Sequence, residues 1–199
     1  MSRSRIPYCR RSASVLREEQ GSALVEFAIT LPLLVVFIVG IYDFSGAFNQ
    51  KQKIEQAAQQ GAIIAGAQPM SDIQSSNANP DSLQPVVVAI FGLLASSGVL
   101  PSAGASCTLP PTVPAPAGLA WTYTISGCSG AYPSDQLIIT INRGVLPAGG
   151  GDPIAVGTSV QVSYPYHWRF NSAIQLLFPG ASYAAVTNLT EVATVHNQT

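Results

Sequence analysis

Polar and apolar positions divide the chain into three regimes. Residues 1–20 show no hydrophobic period, and a short flexible leader is expected there. Residues 27–42 carry no charge and are dominated by Leu, Ile, Val and Phe. With residues 22–25 they give roughly 20 positions, the length a helix needs to span a bilayer. A cleavable secretory signal is the other use of such a run, but it has a shorter core followed closely by small residues at the cut. The nearest such sites, around Ala65 and Ala67, lie far beyond the run. Pro32 removes one backbone donor inside the run and crowds the preceding turn, so a kink is expected there. Membrane helices tolerate this because neighbours satisfy the freed group. Asp43 and Phe44 end the run, with Tyr42 beside them as an interfacial aromatic.

Helical character continues past this boundary to residue 67, with good helix formers and no proline before Pro69. Ala57, Gly61 and Ala65 recur every four residues, as do Ala58, Ala62 and Gly66. Two adjacent rows of small side chains let another helix approach closely; the alternative is a surface helix that merely uses alanine. From residue 22 to 67 the element would be about 65–70 Å long. Residues 69–80 are rich in Ser and Asn and read as a loop. Residues 81–97 form a second helix, with Val86, Ile90, Leu93 and Leu94 on one side, Asp81 as its cap or first-turn acid and Gly98 as its stop.

The last third alternates in the manner of strands, over residues 119–126, 136–145, 159–168 and 183–196. Gly/Pro segments such as 147–153 separate them. The expected class is α+β: a long N-terminal transmembrane helix, then a small domain with a second helix and an antiparallel sheet of about four strands. Its parts are a leader over 1–21, the long helix over 22–67 and an exported domain over 68–199.

Charge changes the picture by its distribution. Charged residues are 10% of the chain, against about 25% in a typical soluble domain. Before the apolar run stand five arginines and two glutamates, a net of +3, while the rest carries four basic and eight acidic residues, a net of −4. Basic flanks stay in the cytoplasm, so the leader is inside and the C-terminal part is exported, in a bacterium to the periplasm or beyond. The acidic exported part lacks the clustered basic face of a nucleic-acid binder. Cys9 falls in the leader. Cys107 and Cys128 fall in the exported part, where oxidation is normal, and read as a disulfide rather than two free buried thiols. On the loop-entropy scale such a bridge is worth about 3 kcal/mol.

Catalytic patterns are weak. The histidines are His167 and His196, and the first sits in an aromatic strand end. Gly149, Gly150 and Gly151 lack the lysine of a phosphate loop and read as a turn. Ser45 or Ser159 would need a base and an orienting group that the sequence does not supply. No metal, cofactor or small-molecule substrate is expected. The sequons at Asn188 and Asn197 read as chance matches.

The strongest motif is GSALVEF at residues 21–27. It puts a glutamate at the head of the apolar run, and an ionisable group there costs about 2.5–3.5 kcal/mol on insertion scales. The Gly-x-x-x-x-Glu-Phe spacing resembles the processing site of type IV prepilins. With Leu31-Pro32, Asp43-Phe44 and the Ala-rich segment of residues 56–66, the chain from Gly21 to about Ala67, about a quarter of its length, is similar to the TadE-like family of tight-adherence (Tad/Flp) pilus systems. That resemblance implies a non-enzymatic minor pilin or pseudopilin in the inner membrane. Its partners would be a prepilin peptidase, other Tad pilus components and pilin helices. It also implies cleavage between Gly21 and Ser22. Glu26, beside Phe27, would pair with the N-terminal ammonium of a neighbouring subunit, or else would only mark the membrane interface. Competing readings are an uncleaved, signal-anchored periplasmic domain that binds a ligand or surface, and a membrane-tethered enzyme. The first residue of the mature chain separates the first two, and a catalytic dyad would favour the third.

Overall fold

The computed structural model describes residues 15–101, 107–109, 116–145, 156–170, 180 and 186–198, with side chains from residue 21 onward. Helix α1 is Val15–Ala67, 53 residues without a break and about 80 Å long. It begins before the expected start at Ser22. Leu16, Arg17, Glu18, Glu19 and Gln20 are good helix formers, and an established helix extends into them at little cost. It also passes through Pro32 as one element.

A one-turn 3₁₀ segment, Asp81–Leu83, leads into α2, Gln84–Ser96. Strands β1 (Ala120–Ser126), β2 (Gln136–Val145), β3 (Gly157–His167) and β4 (Val186–His196) form one antiparallel sheet in sequential order. The α+β class is as the sequence indicates, with strand ends shifted by one to three residues. The turn placed at residues 147–153, including Gly149, Gly150 and Gly151, lies outside the described residues.

The sheet has one covered face. Trp121, Tyr123 and Ile125 of β1 lie opposite Ile141, Ile139 and Leu137 of β2. Val160 and Val162 of β3 continue the rows beyond Ile141 and Ile139, and all eight are buried. The other face carries hydroxyls, with Thr122 paired to Thr140 at 3.2 Å and Ser163 to Thr190 at 2.8 Å. This alternation follows from the two-residue period of a strand.

The C-terminal half of α1 covers the inner face, packing on β3, β4 and α2. Ala47, Ile54, Ala57, Ala58, Ala62 and Ala65 are buried, at spacings of three, four and seven that keep to one helix face. Gly61 and Gly66 are buried with them. A Cβ on Gly61 would stand 2.5 Å from Ile90 Cδ1 of α2, and one on Gly66 would stand 2.7 Å from Val195 Cγ2 of β4. Both small-residue rows are therefore occupied by the chain's own domain. In α2, Val86, Val87, Ile90 and Leu94 face this core, whereas Leu93, expected there, is 41% exposed. Asp81 does not cap α2 with its side chain but is the acid in the first turn of the 3₁₀ segment that leads into it. Asp72 Oδ2 accepts the Ser82 N–H at 2.8 Å. Gly98 ends the helix with φ +75°.

Two glycines give opposite expectations. Gly61→Leu forces a side chain into Ile90 and should destabilise the chain by about 1–3 kcal/mol. Gly92 lies in α2 with nothing within 4 Å of its Cβ position, so Gly92→Ala should stabilise by about 0.5–1 kcal/mol. Thermal unfolding of the detergent-solubilised variants checks both signs.

Candidate functional site

The sequence-derived site residues separate into a bare half and a packed half of α1. Gly21, Ser22, Glu26 and Phe27 are all exposed, and Phe27 is 61% so. No heavy atom lies within 4 Å of a Cβ built on Gly21. Thr30 Oγ1 donates to the Glu26 carbonyl at 2.9 Å, a local bond that leaves the Glu26 carboxylate free to face outward. Among the described residues no cation is paired with Glu26. The most apolar window of this half has a mean hydropathy of 2.6 and none of it is buried. By length and composition it can cross a membrane. Leu24, Ile29, Leu33, Phe37 and Ile41 are among the large apolar side chains left uncovered.

The bare and packed halves meet at Asp43, which is only 3% exposed. Its Oδ1 accepts the Tyr166 hydroxyl at 2.8 Å, and its Oδ2 accepts the Phe170 N–H at 2.7 Å. The same hydroxyl lies 3.0 Å from the Asp43 carbonyl. The end of β3 is thus fastened to α1 where the apolar run ends. Phe44 and Trp168 pack with ring centroids 5.6 Å apart, and Tyr166 meets Trp168 edge-on at 5.1 Å. Beside this joint is a cavity of about 370 Å³ lined by Tyr42, Asp43, Lys53, Gly98, Tyr166 and Arg169. Lys53 Nζ donates to the Ser97 carbonyl at 2.8 Å, tying α1 to the end of α2.

At the far end of the packed half lies Arg143, whose side chain is wholly buried. Its Nη2 donates to the Gln68 carbonyl, just past α1, at 2.7 Å, and its Nη1 donates to Thr158 Oγ1 at 3.2 Å. A guanidinium suits this place, because a helix C-terminus carries partial negative charge and unpaired carbonyls. Burial lowers the pKa of Arg143, and the charge of Asp72 works against that shift.

His167 stacks on Tyr132 at 3.5 Å between centroids. Its Nε2–H donates to the Asp135 carboxylate, 2.8 Å from Oδ2. This holds the β1–β2 connection to the end of β3. Cys107 and Cys128 are joined, with their sulfurs 2.04 Å apart. No group of three or more metal-ligating side chains occurs among the described residues.

Arg143 and the Asp43–Tyr166 contact were not singled out by the sequence. Arg143 was legible in principle, because it continues the inward phase of Leu137, Ile139 and Ile141. Asp43 likewise stands four residues before buried Ala47.

These features define an α+β protein carried on one helix whose N-terminal half is fit to span a membrane. Residues 21–62, about a fifth of the chain, match the TadE-like protein family model, the same family that the motif at the helix head resembles. No curated protein and no solved structure matches the chain.

The tyrosines give a test of the joint. Burial, then the bond to Asp43, pushes Tyr166 up to about 12. Burial does the same for Tyr123, and burial with the Asp135 charge for Tyr164. Each pKa is raised above the unfolded value near 10. Their neutral forms therefore stabilise the fold fully below pH ~10, and that stabilisation is lost as the pH rises toward ~12. Ultraviolet titration should show Tyr123, Tyr164 and Tyr166 ionising late, together with unfolding. Tyr166→Phe should remove one late step and cost about 1.5–3 kcal/mol, the range for a bond to a charged group.

Proposed function

We propose that this chain is a non-enzymatic, membrane-anchored component of a Tad-type pilus, a minor pilin or pseudopilin cut by a prepilin peptidase between Gly21 and Ser22. The observation that carries the proposal is Glu26, an ionisable group on a bare apolar helix within the TadE-like match. Among the described residues this carboxylate has no cation beside it, so a cation from a neighbouring subunit can pair with it. After cleavage, the ammonium of Ser22 on a neighbouring subunit would supply it one helical turn away. An unpaired charge in an apolar bundle is costly and a paired one is tolerated, so the pair sets axial register. Gly21 aids processing in two ways. It has no side chain to obstruct the peptidase, and it weakens the helix by about 1 kcal/mol relative to alanine, which helps the scissile turn to open. The leader is then cytoplasmic, the apolar half of α1 crosses the inner membrane, and the domain is periplasmic or fibre-borne.

The absence of an enzymatic role is part of the same proposal. His167 is committed to Asp135 and Tyr132 at the end of the sheet.

A second reading, an uncleaved signal-anchored periplasmic binding or adhesion domain, is favoured by the unbroken course of α1 across residues 21 and 22. One experiment in the native host separates the two. Mass spectrometry of the wild-type chain should find Ser22 as the first residue. Glu26→Gln should be made, inserted and cut, yet fail to co-purify with the major pilin or support normal pilus number, because breaking a buried pair costs about 3–5 kcal/mol. Met1 or Ser2 at the N-terminus in piliated cells, or normal assembly by Glu26→Gln, would defeat the proposal.

A further inference from the structure

We infer that the aromatic face at the joint, formed by Phe44, Tyr166, Trp168 and Phe170, is a bilayer-docking surface whose partner is the headgroup and glycerol layer of the phospholipids. The inference rests on reading the bare half of α1 as a membrane span.

The depth follows from the helix itself. A hydrocarbon core about 30 Å thick takes roughly 20 helical residues. Counted from Ser22, those residues end near Ile41 and Tyr42, so Gly40 lies at the edge of the hydrocarbon and Asp43 just beyond it. The chain leaving β3 descends beside this very stretch. A Cβ on Gly46 would stand 2.8 Å from the Tyr166 hydroxyl, and one on Gly40 would stand 3.7 Å from the Phe170 ring. Between these two glycines the segment falls by about 9 Å along the helix. It brings Trp168 against Phe44 midway. The soluble domain therefore reaches down to the level where the apolar run ends.

The chemistry of the segment suits that level. Trp and Tyr concentrate at membrane interfaces, where an apolar ring and a polar edge are both accommodated. Trp168 Nε1–H is already taken by Thr187 Oγ1 at 2.8 Å, so its ring can enter the interface without an unmet donor. Arg169, between the two rings in sequence, is exposed; its long stem lets a guanidinium reach lipid phosphates. Asp43 is a group that lipid would reject at this depth, and the structure hides it behind the Tyr166 hydroxyl and the Phe170 N–H. Phe44 remains 63% exposed and is continuous with the uncovered apolar face below it. That continuity with the span is what identifies the lipid interface as the occupant.

The test uses the full chain reconstituted in phosphatidylcholine–phosphatidylglycerol vesicles that contain lipids brominated high or low on the acyl chain. The chain has two tryptophans, and Trp121 is fully buried in the core. Wild-type fluorescence should be quenched at least twofold more by bromines near the headgroup than by bromines near the bilayer centre. Trp168→Phe should lose that quenching, because only the shielded Trp121 remains. A chain that floats with the vesicles after alkaline washing but whose Trp168 is unquenched overturns the docking surface alone. If the emission of such an unquenched Trp168 shifts on dilution into protein-free vesicles, the face belongs to a second copy and the inference is again overturned. A chain that does not float overturns the reading of the span, and the docking surface with it.

Discussion

Everything in this molecule depends on one helix serving two environments. The first half of α1 presents large apolar side chains all round and buries none of its most apolar window. The second half presents alanine and glycine on the face that meets the sheet and α2. The change of side-chain size, not a change of secondary structure, marks where the membrane segment ends and the domain begins. Small residues bring the helix axis close to its neighbours, and dispersion contacts gain from that proximity. Without that face the four strands would have an inner surface of Trp, Tyr, Ile, Leu and Val with too little to cover it, since α2 is only 13 residues long.

The two ends of the packed half are fastened by polar groups that share a logic. Arg143 meets the carbonyl end of α1, and Asp43 meets donors from the chain that leaves β3. Each is a charged side chain taken out of water. Such groups cost more than they return unless their hydrogen bonds are met. They do confer position, because an apolar contact can slide by an ångström and these bonds cannot. Helix and sheet are thus fixed along the helix axis by charge and held together laterally by small-residue packing.

Much of the fold was legible because it rests on periodicity. Alternation along the last third predicted four strands, and the charge-free run predicted the bare half of α1. The misses have physical causes. The start of α1 lay in a stretch with no apolar period, and helix propagation from a neighbouring segment leaves no such trace. Leu93 was assigned to the core face of α2 by spacing alone, but α2 is nearly apolar all round, so spacing could not choose the side. Arg143 and Asp43 kept the phase of buried neighbours while having the chemistry of surface residues. Phase was the better guide in both cases. The Asp43–Tyr166 contact joins positions 123 apart in sequence, and no local pattern records such a pairing.

The continuity of α1 through Asp43 has a mechanical meaning. A helix advances about 1.5 Å and turns about 100° for each residue. With no linker between span and domain, the number of residues between Glu26 and Ala47 fixes the azimuth at which the hydroxyl-bearing face of the sheet points, relative to whatever Glu26 engages. Adding or deleting one residue there would swing the whole domain by more than a quarter turn while barely changing its height. The helix is therefore an indexed shaft. A change in its length turns the sheet relative to the apolar half, and only a change that restores the phase keeps their orientation.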